Sequence, residues 1–311
     1  MTSSDLLSAY VSTYVLPKCS EPRLRAHVAS ESNRLAEPVF SAKSGFAIVT
    51  LSRAWLRDWA LFGQLLKRDV AGRYRGSWGG LVWAFVQPLF LLCVYTIAFG
   101  LIVGVRRQQG GDAFDYGVFL FIGLIVYNAF SECIVRAPTL ILAQPNFVKK
   151  VVFPLYILPM VCACTALLHA AIGFLVWLLV YSVLFGLPKV GTLALPLILL
   201  SCAPSLLGIG WLLASFGAYF RDLPQIASLA SHALLFLTPV FYEATNIPSQ
   251  YRALLYANPL SVVIETARGL LLPGDVPSLV PLAIYAGISV VFALVSLALF
   301  SWMRPRFADV V

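Results

Sequence analysis

From Leu81 onward the chain alternates between long apolar runs and short polar gaps, whereas the region before it is polar and basic. The apolar runs cover residues 81–105, 116–142, 155–186, 193–218, 225–242 and 278–303. Each is near or above the ~20 residues a helix needs to cross a bilayer core. The pattern predicts an all-α polytopic membrane protein with six transmembrane helices. Pro159, Pro196 and Pro204 fall inside these runs and should kink them. Ahead of the runs, Trp55, Trp59, Phe62, Leu65 and Leu66 recur near helical spacing, with Arg53, Arg57, Asp58, Lys67 and Arg68 between them. Residues 46–80 are therefore expected to form an N-terminal amphipathic interface helix and the turn that leads into the bilayer. Residues 243–277 are too polar and proline-broken for a span, and too apolar for a free loop. They predict two short helices, about 248–257 and 259–271, re-entering the outer leaflet against protein.

Composition narrows the class further. Hydrophobic residues make up 60% of the chain, charged ones only 12%, and the mean hydropathy is +0.86. A soluble domain carries about a quarter charged residues. The formal net charge is +8, but half of the basic residues precede position 76. That distribution points to anionic membrane lipid rather than nucleic acid. The six cysteines form no C-x-x-C, and Cys93, Cys133, Cys162, Cys164 and Cys202 sit in apolar runs as small fillers. Residues 1–45 show no cleavable signal pattern and are expected to be a cytoplasmic extension.

Orientation follows from lysines and arginines flanking the runs. With the N-terminus inside, six of them face the cytoplasm (Arg136, Lys149, Lys150, Arg221, Arg304, Arg306) and five face out (Arg106, Arg107, Lys189, Arg252, Arg268). Eleven more, from Lys18 to Arg75, precede the first run and place both termini in the cytoplasm.

Individual residues then stand out. Arg68, Arg73 and Arg75 suit an anionic surface, and Trp78 and Trp83 the headgroup boundary. Glu132 is the one acid in its run; pairing with Arg136, one helical turn on, is favoured over a functional charge. His169 and His232 are isolated in apolar helices and read as hydrogen-bonded interior residues. Asp222 is placed to cap the following helix and to pair with Arg221. Gln144, Pro145 and Asn146 should stop one helix, and Phe147 to Phe153 form a short second one. On physical grounds alone that segment is an ordinary connector. There is no G-x-x-x-x-G-K-[ST] loop and no dinucleotide fingerprint. The acids Glu132, Asp222, Glu243 and Glu265 are scattered, which disfavours a membrane glycosyltransferase or acyltransferase.

The order of residues in Arg68-Asp69-x-x-x-Arg73-Tyr74-Arg75-Gly76-Ser77, followed by Gly80-x-x-Trp83-x-x-x-Gln87-Pro88, resembles ABC-2 type permeases. The resemblance is strongest to the branch that exports O-antigen, capsule and teichoic acid polysaccharide. It extends through Phe147-Val148-Lys149-Lys150 with Phe153-Pro154, Thr238-Pro239-Val240-Phe241-Tyr242 and Asn258-Pro259-Leu260, over roughly residues 50–305. It implies a type V exporter fold in which Gln144 to Lys150 act as a coupling helix. It also implies that residues 243–277 are outer gate helices, with Pro239, Glu243, Asn258, Pro259 and Arg268 as gate candidates. Tyr95, Tyr127, Phe241 and Tyr242 are candidates to line the glycan path, since flat rings suit the apolar faces of sugars. The resemblance further implies the bacterial inner membrane, a second copy of the chain, two ATPase subunits that hold the ATP and Mg, and an undecaprenyl-linked glycan as cargo. No cofactor is expected in this chain. Export of a small lipid or drug is the alternative on the same fold.

Overall fold

The computed structural model describes residues 47–74, 79–102, 113–148, 153–188, 190–244, 258–272 and 277–309, with 247, 248, 250 and 255. The N-terminal extension, Arg75, Trp78, Arg106, Arg107, Lys149, Lys150, Lys189, Arg252 and most of the stretch 248–257 expected to form the first gate helix lie outside the described residues.

All regular elements among the described residues are helical. Helix α1 (Ala47–Tyr74) is followed by α2 (Trp83–Tyr95), which continues as a π-helical turn over Thr96–Ile102. Then come α3 (Ala113–Arg136), the short α4 (Pro145–Val148) and α5 (Ile157–Phe185). The chain ends with α6 (Leu195–Gly217), α7 (Leu223–Leu237), α8 (Pro259–Leu271) and α9 (Val280–Met303).

Among the described residues, five segments are long and apolar enough to cross a membrane: Trp83–Gly100, Phe114–Thr139, Ile157–Phe185, Leu195–Gly217 and Val280–Phe307. The sequence-predicted run at 225–242 yields instead the 15-residue apolar helix α7. Its end has a local cause. Thr238 is extended at the C-cap and Pro239 follows, and a residue before proline is steered out of the helical region. At about 1.5 Å per residue α7 is about 22 Å long, short of the ~30 Å hydrocarbon core. Asp222 occupies the N-cap position of α7, but its side chain makes no capping hydrogen bond, contrary to the sequence expectation.

Helix α3 is the axis of the bundle. Every residue from Tyr116 to Phe130 is buried except Asn128. It is covered by α5, α7, α8 and the π-turn of α2. Trp177 of α5 donates to the Val118 carbonyl at 3.2 Å. Helices α6 and α9 form the most extensive pair. A second cluster joins Phe62 and Leu65 of α1 to Ile141, Leu155–Val161, Trp211, Phe300 and Phe307. That cluster fixes the amphipathic helix α1 to one end of the bundle. Helix α2 is the least covered span; Phe85, Leu89, Phe90, Val94 and Ile97 are exposed on it.

Candidate functional site

Two polar constellations are anchored on α3, separated by the 13 residues between Phe119 and Glu132, or about 20 Å of helix.

The first forms where α1, α3 and α5 converge. Glu132 Oε1 accepts from Arg73 at 2.5 Å and from Arg136 at 2.9 Å. His169 Nδ1 lies 2.8 Å from Glu132 Oε2 and 3.3 Å from Arg73. Arg136 also makes a two-oxygen pair with Asp69, at 2.7 and 2.9 Å, and Thr165 donates to Asp69 at 2.9 Å. So Glu132 does meet Arg136, as its spacing suggests, but the same carboxylate also holds an arginine of α1 and a histidine. Asp69 and Arg73 are one turn apart on α1, and Thr165 and His169 one turn apart on α5. Each helix thus presents two polar groups on one face. That i,i+4 polar pair in α5 was the sequence signal for His169.

Beside this cluster lies a cavity of about 300 Å³. Arg73, Glu132 and His169 form its charged end. Gln87, Asn128 and Ser131 add neutral polar groups, and Pro88, Leu91, Phe121 and Ile125 an apolar wall.

Helix α4 sits at the same end. The Phe147 ring stacks on Phe153 with centroids 4.3 Å apart, and the Arg68 guanidinium lies 5.8 Å from its centroid. Gln144 accepts from the Phe147 backbone N–H at 3.0 Å. Arg68 contacts α4 while its neighbour Asp69 contacts α3, so α1 joins the two. Asn146 and Val148 belong to α4, Tyr74 ends α1, and Trp83 opens α2 with its ring exposed.

The second constellation is a cage around Arg268. This arginine does not face water; it is 4% exposed. It donates to the carbonyls of Pro239 and Val240, both at 2.6 Å, and to those of Phe119 at 3.3 Å and Tyr242 at 3.4 Å. Its guanidinium lies 3.6 Å from the Phe119 ring centroid. Glu265 is 3.4 Å away. Burial lowers the Arg268 pKa to about 10, so the group stays charged near neutrality. Gly123 makes room: a Cβ there would stand 2.8 Å from Nη2 of Arg268. The carbonyls that the break after α7 would otherwise leave unpaired are thus taken up by one side chain.

The remaining candidates divide between this end and the helix packing. Asn258 caps α8, accepting from Leu260 N–H at 3.1 Å and donating to Thr238 at 2.8 Å, with Pro259 next in the first turn. Tyr95, Phe99, Phe236 and Phe241 form a ring cluster with Tyr95–Phe241 centroids 6.0 Å apart. Tyr242 donates to Phe236 O at 3.2 Å, and Glu243 is half-buried nearby. Tyr127 is buried and donates to the Ser231 carbonyl at 2.9 Å, which makes it a tie between α3 and α7. His232 lies 2.7 Å from the Ser228 carbonyl one turn back, but it is on the exposed face of α7 and not in the interior as the sequence suggested.

Residues 60–272 match the family model described as ABC-2 type transporter, more than half of the chain. The chain belongs to the ABC-2 type transporter family. This ABC-2 transporter chain is also similar to three curated proteins over most of its length. It is 26% identical to O-antigen export system permease protein RfbA of Klebsiella pneumoniae, across 79% of this chain and 93% of that one. It is 28% identical to the protein of that name in Myxococcus xanthus, across 84% and 99%. It is 29% identical to polysialic acid transport protein KpsM of Escherichia coli, across 83% and 96%. The family match begins inside α1 and ends just after α8, so both polar constellations of the ABC-2 transporter lie within it. Its apolar helices make it a membrane protein.

Proposed function

We propose that this chain is one of two identical halves of a conduit that exports lipid-linked polysaccharide, of the O-antigen or capsule type, across the bacterial inner membrane. A separate ATPase subunit, in two copies, binds ATP and Mg and supplies the energy. The observation that carries the reading is near end-to-end similarity to permeases named for O-antigen and for polysialic acid.

The geometry supports a mechanism. In this reading α7 and the unwound turn 238–244 together make the sixth crossing, with the carbonyls of the turn held by Arg268. Six crossings put both termini on one side, and the basic N-terminal region makes that side cytoplasmic. Helix α1 lies in the cytoplasmic interface, and α4 is the segment on which the ATPase pushes. Displacement of α4 reaches α1 through Phe147 and Arg68, then α3 and α5 through Asp69, Arg73 and the Glu132 cluster. Rigid helices joined by paired charges move as units, so a short push becomes a change in the conduit. Helix α8 and the aromatic cluster around Tyr95 and Phe241 stand at the outer gate.

Deleting the gene in its host should remove surface glycan and accumulate lipid-linked glycan at the inner face. The full chain should restore export only alongside an ATPase competent for hydrolysis. Export that persists without the chain, or with a hydrolysis-dead ATPase, would overturn the proposal.

A further inference from the structure

Asn128 is the one exposed side chain in the otherwise buried stretch Tyr116–Phe130, within a span. Its amide has no hydrogen-bond partner among the described residues, and neither does that of Gln87 on α2. Both line the cavity beside the Glu132 cluster. An unpaired amide facing hydrocarbon is costly, so this cavity holds something polar when the protein works.

The charges decide what kind of ligand. Arg73 and Arg136 contribute two positive charges, and Glu132 and Asp69 two negative ones, leaving a balance of zero. Each arginine is already held by a carboxylate. A phosphate or diphosphate would meet Glu132 and would have to break the Arg73 pair. A neutral polyol would not. Two amides, each able both to donate and to accept, match adjacent hydroxyls. The wall of Pro88, Leu91, Phe121 and Ile125 suits the apolar face of a pyranose. At about 300 Å³ the cavity is at the lower end of small-ligand sites, about 300–1,000 Å³, which is room for a sugar unit rather than a chain.

We infer that the cavity between α2, α3 and α5 is a binding subsite for a single neutral sugar unit of the exported glycan, read by the amides of Asn128 and Gln87. The inference rests on the export reading above and gives that conduit a place where cargo is engaged next to its charged joint.

Two measurements test it. In the host, Asn128→Leu with Gln87→Leu should lower surface glycan about tenfold or more, the scale expected for losing hydrogen bonds at such a site. The membrane content of the chain should be unchanged. Independently, Leu91→Cys in the otherwise native full chain places a thiol in the wall. Its reaction with a maleimide in inverted membrane vesicles, after subtracting that of the parent chain, should be slowed by methyl glycosides of the host glycan's sugars. It should not be slowed by inorganic diphosphate. Undiminished export by the double variant at normal membrane levels overturns the inference, as does protection by diphosphate but not by glycosides. If the native chain does not export glycan at all, the export reading fails first, and the thiol assay still reports whether the cavity takes a sugar.

Discussion

Arg268 ties several segments together through one side chain. Its charge, its flat shape and its spread of donors are all used: four carbonyls, one carboxylate and one ring surround it. A buried charge is tolerated only when paired and hydrogen-bonded. Arg268→Met should therefore cost about 3 kcal/mol or more, because several buried carbonyls lose their donor together. Arg268→Lys should fall between, since a point ammonium cannot serve separated acceptors and stack on Phe119 as well. Thermal unfolding in detergent measures both, and a midpoint for Arg268→Met equal to that of the native chain would refute the cage as a stabilising feature. Sequence alone put Arg268 at the outer end of the chain's membrane region. It could not reveal the burial, because the carbonyls come from residues up to 149 positions away. Glu132 shows the same division. Its partner Arg136 is set by helical spacing, whereas Arg73 and His169 arrive only through packing of α1 and α5.

Among the helices, close approach decides which substitutions matter. Gly217, at the end of α6, lies so near the Pro138 carbonyl that any Cβ would overlap backbone. Gly287, on α9, has nothing within 4 Å of the same position. Gly217→Ala should destabilise the fold by about 1–3 kcal/mol through overpacking. Gly287→Ala should be neutral or slightly stabilising, as alanine favours the helix over glycine by up to about 1 kcal/mol. The same detergent melting assay separates them; equal midpoints would contradict the packing of α6 on the turn after α3. Helix identity was legible from apolar run length. The shortness of α7 was not. The run continues in apolar residues past Thr238, and only the backbone break at Thr238–Pro239 ends the helix. Of the apolar positions that recur along α1, Phe62 and Leu65 are buried whereas Trp59 is exposed.

At the level of the molecule, the short α4 meets α1 through the Arg68 guanidinium over the Phe147 ring, while that ring also stacks on Phe153 just after α4. Phe147→Ala should leave the chain in the membrane and lower glycan export severalfold, because the displacement of α4 would no longer reach Arg68. Phe147→Leu should retain part of the function by keeping bulk without the flat face. Surface glycan, normalised to membrane content of the chain, is the readout; native export by Phe147→Ala would remove α4 as the lever. The exposed apolar face of α2 belongs to this scale too, since it is the surface that lipid or a second copy must cover.

What the sequence determined by itself was the solvent this protein lives in and the succession of its helices. Transfer of an apolar run into hydrocarbon is a sum over neighbouring residues, so composition and run length suffice to read it. Only the tertiary structure decided which charges on different helices meet, which arginine is buried, and that one asparagine in an otherwise buried stretch opens onto a cavity. Those outcomes depend on how rigid helices pack against each other, and the energy of a buried polar group is set by the partners that packing brings within about 3 Å of it.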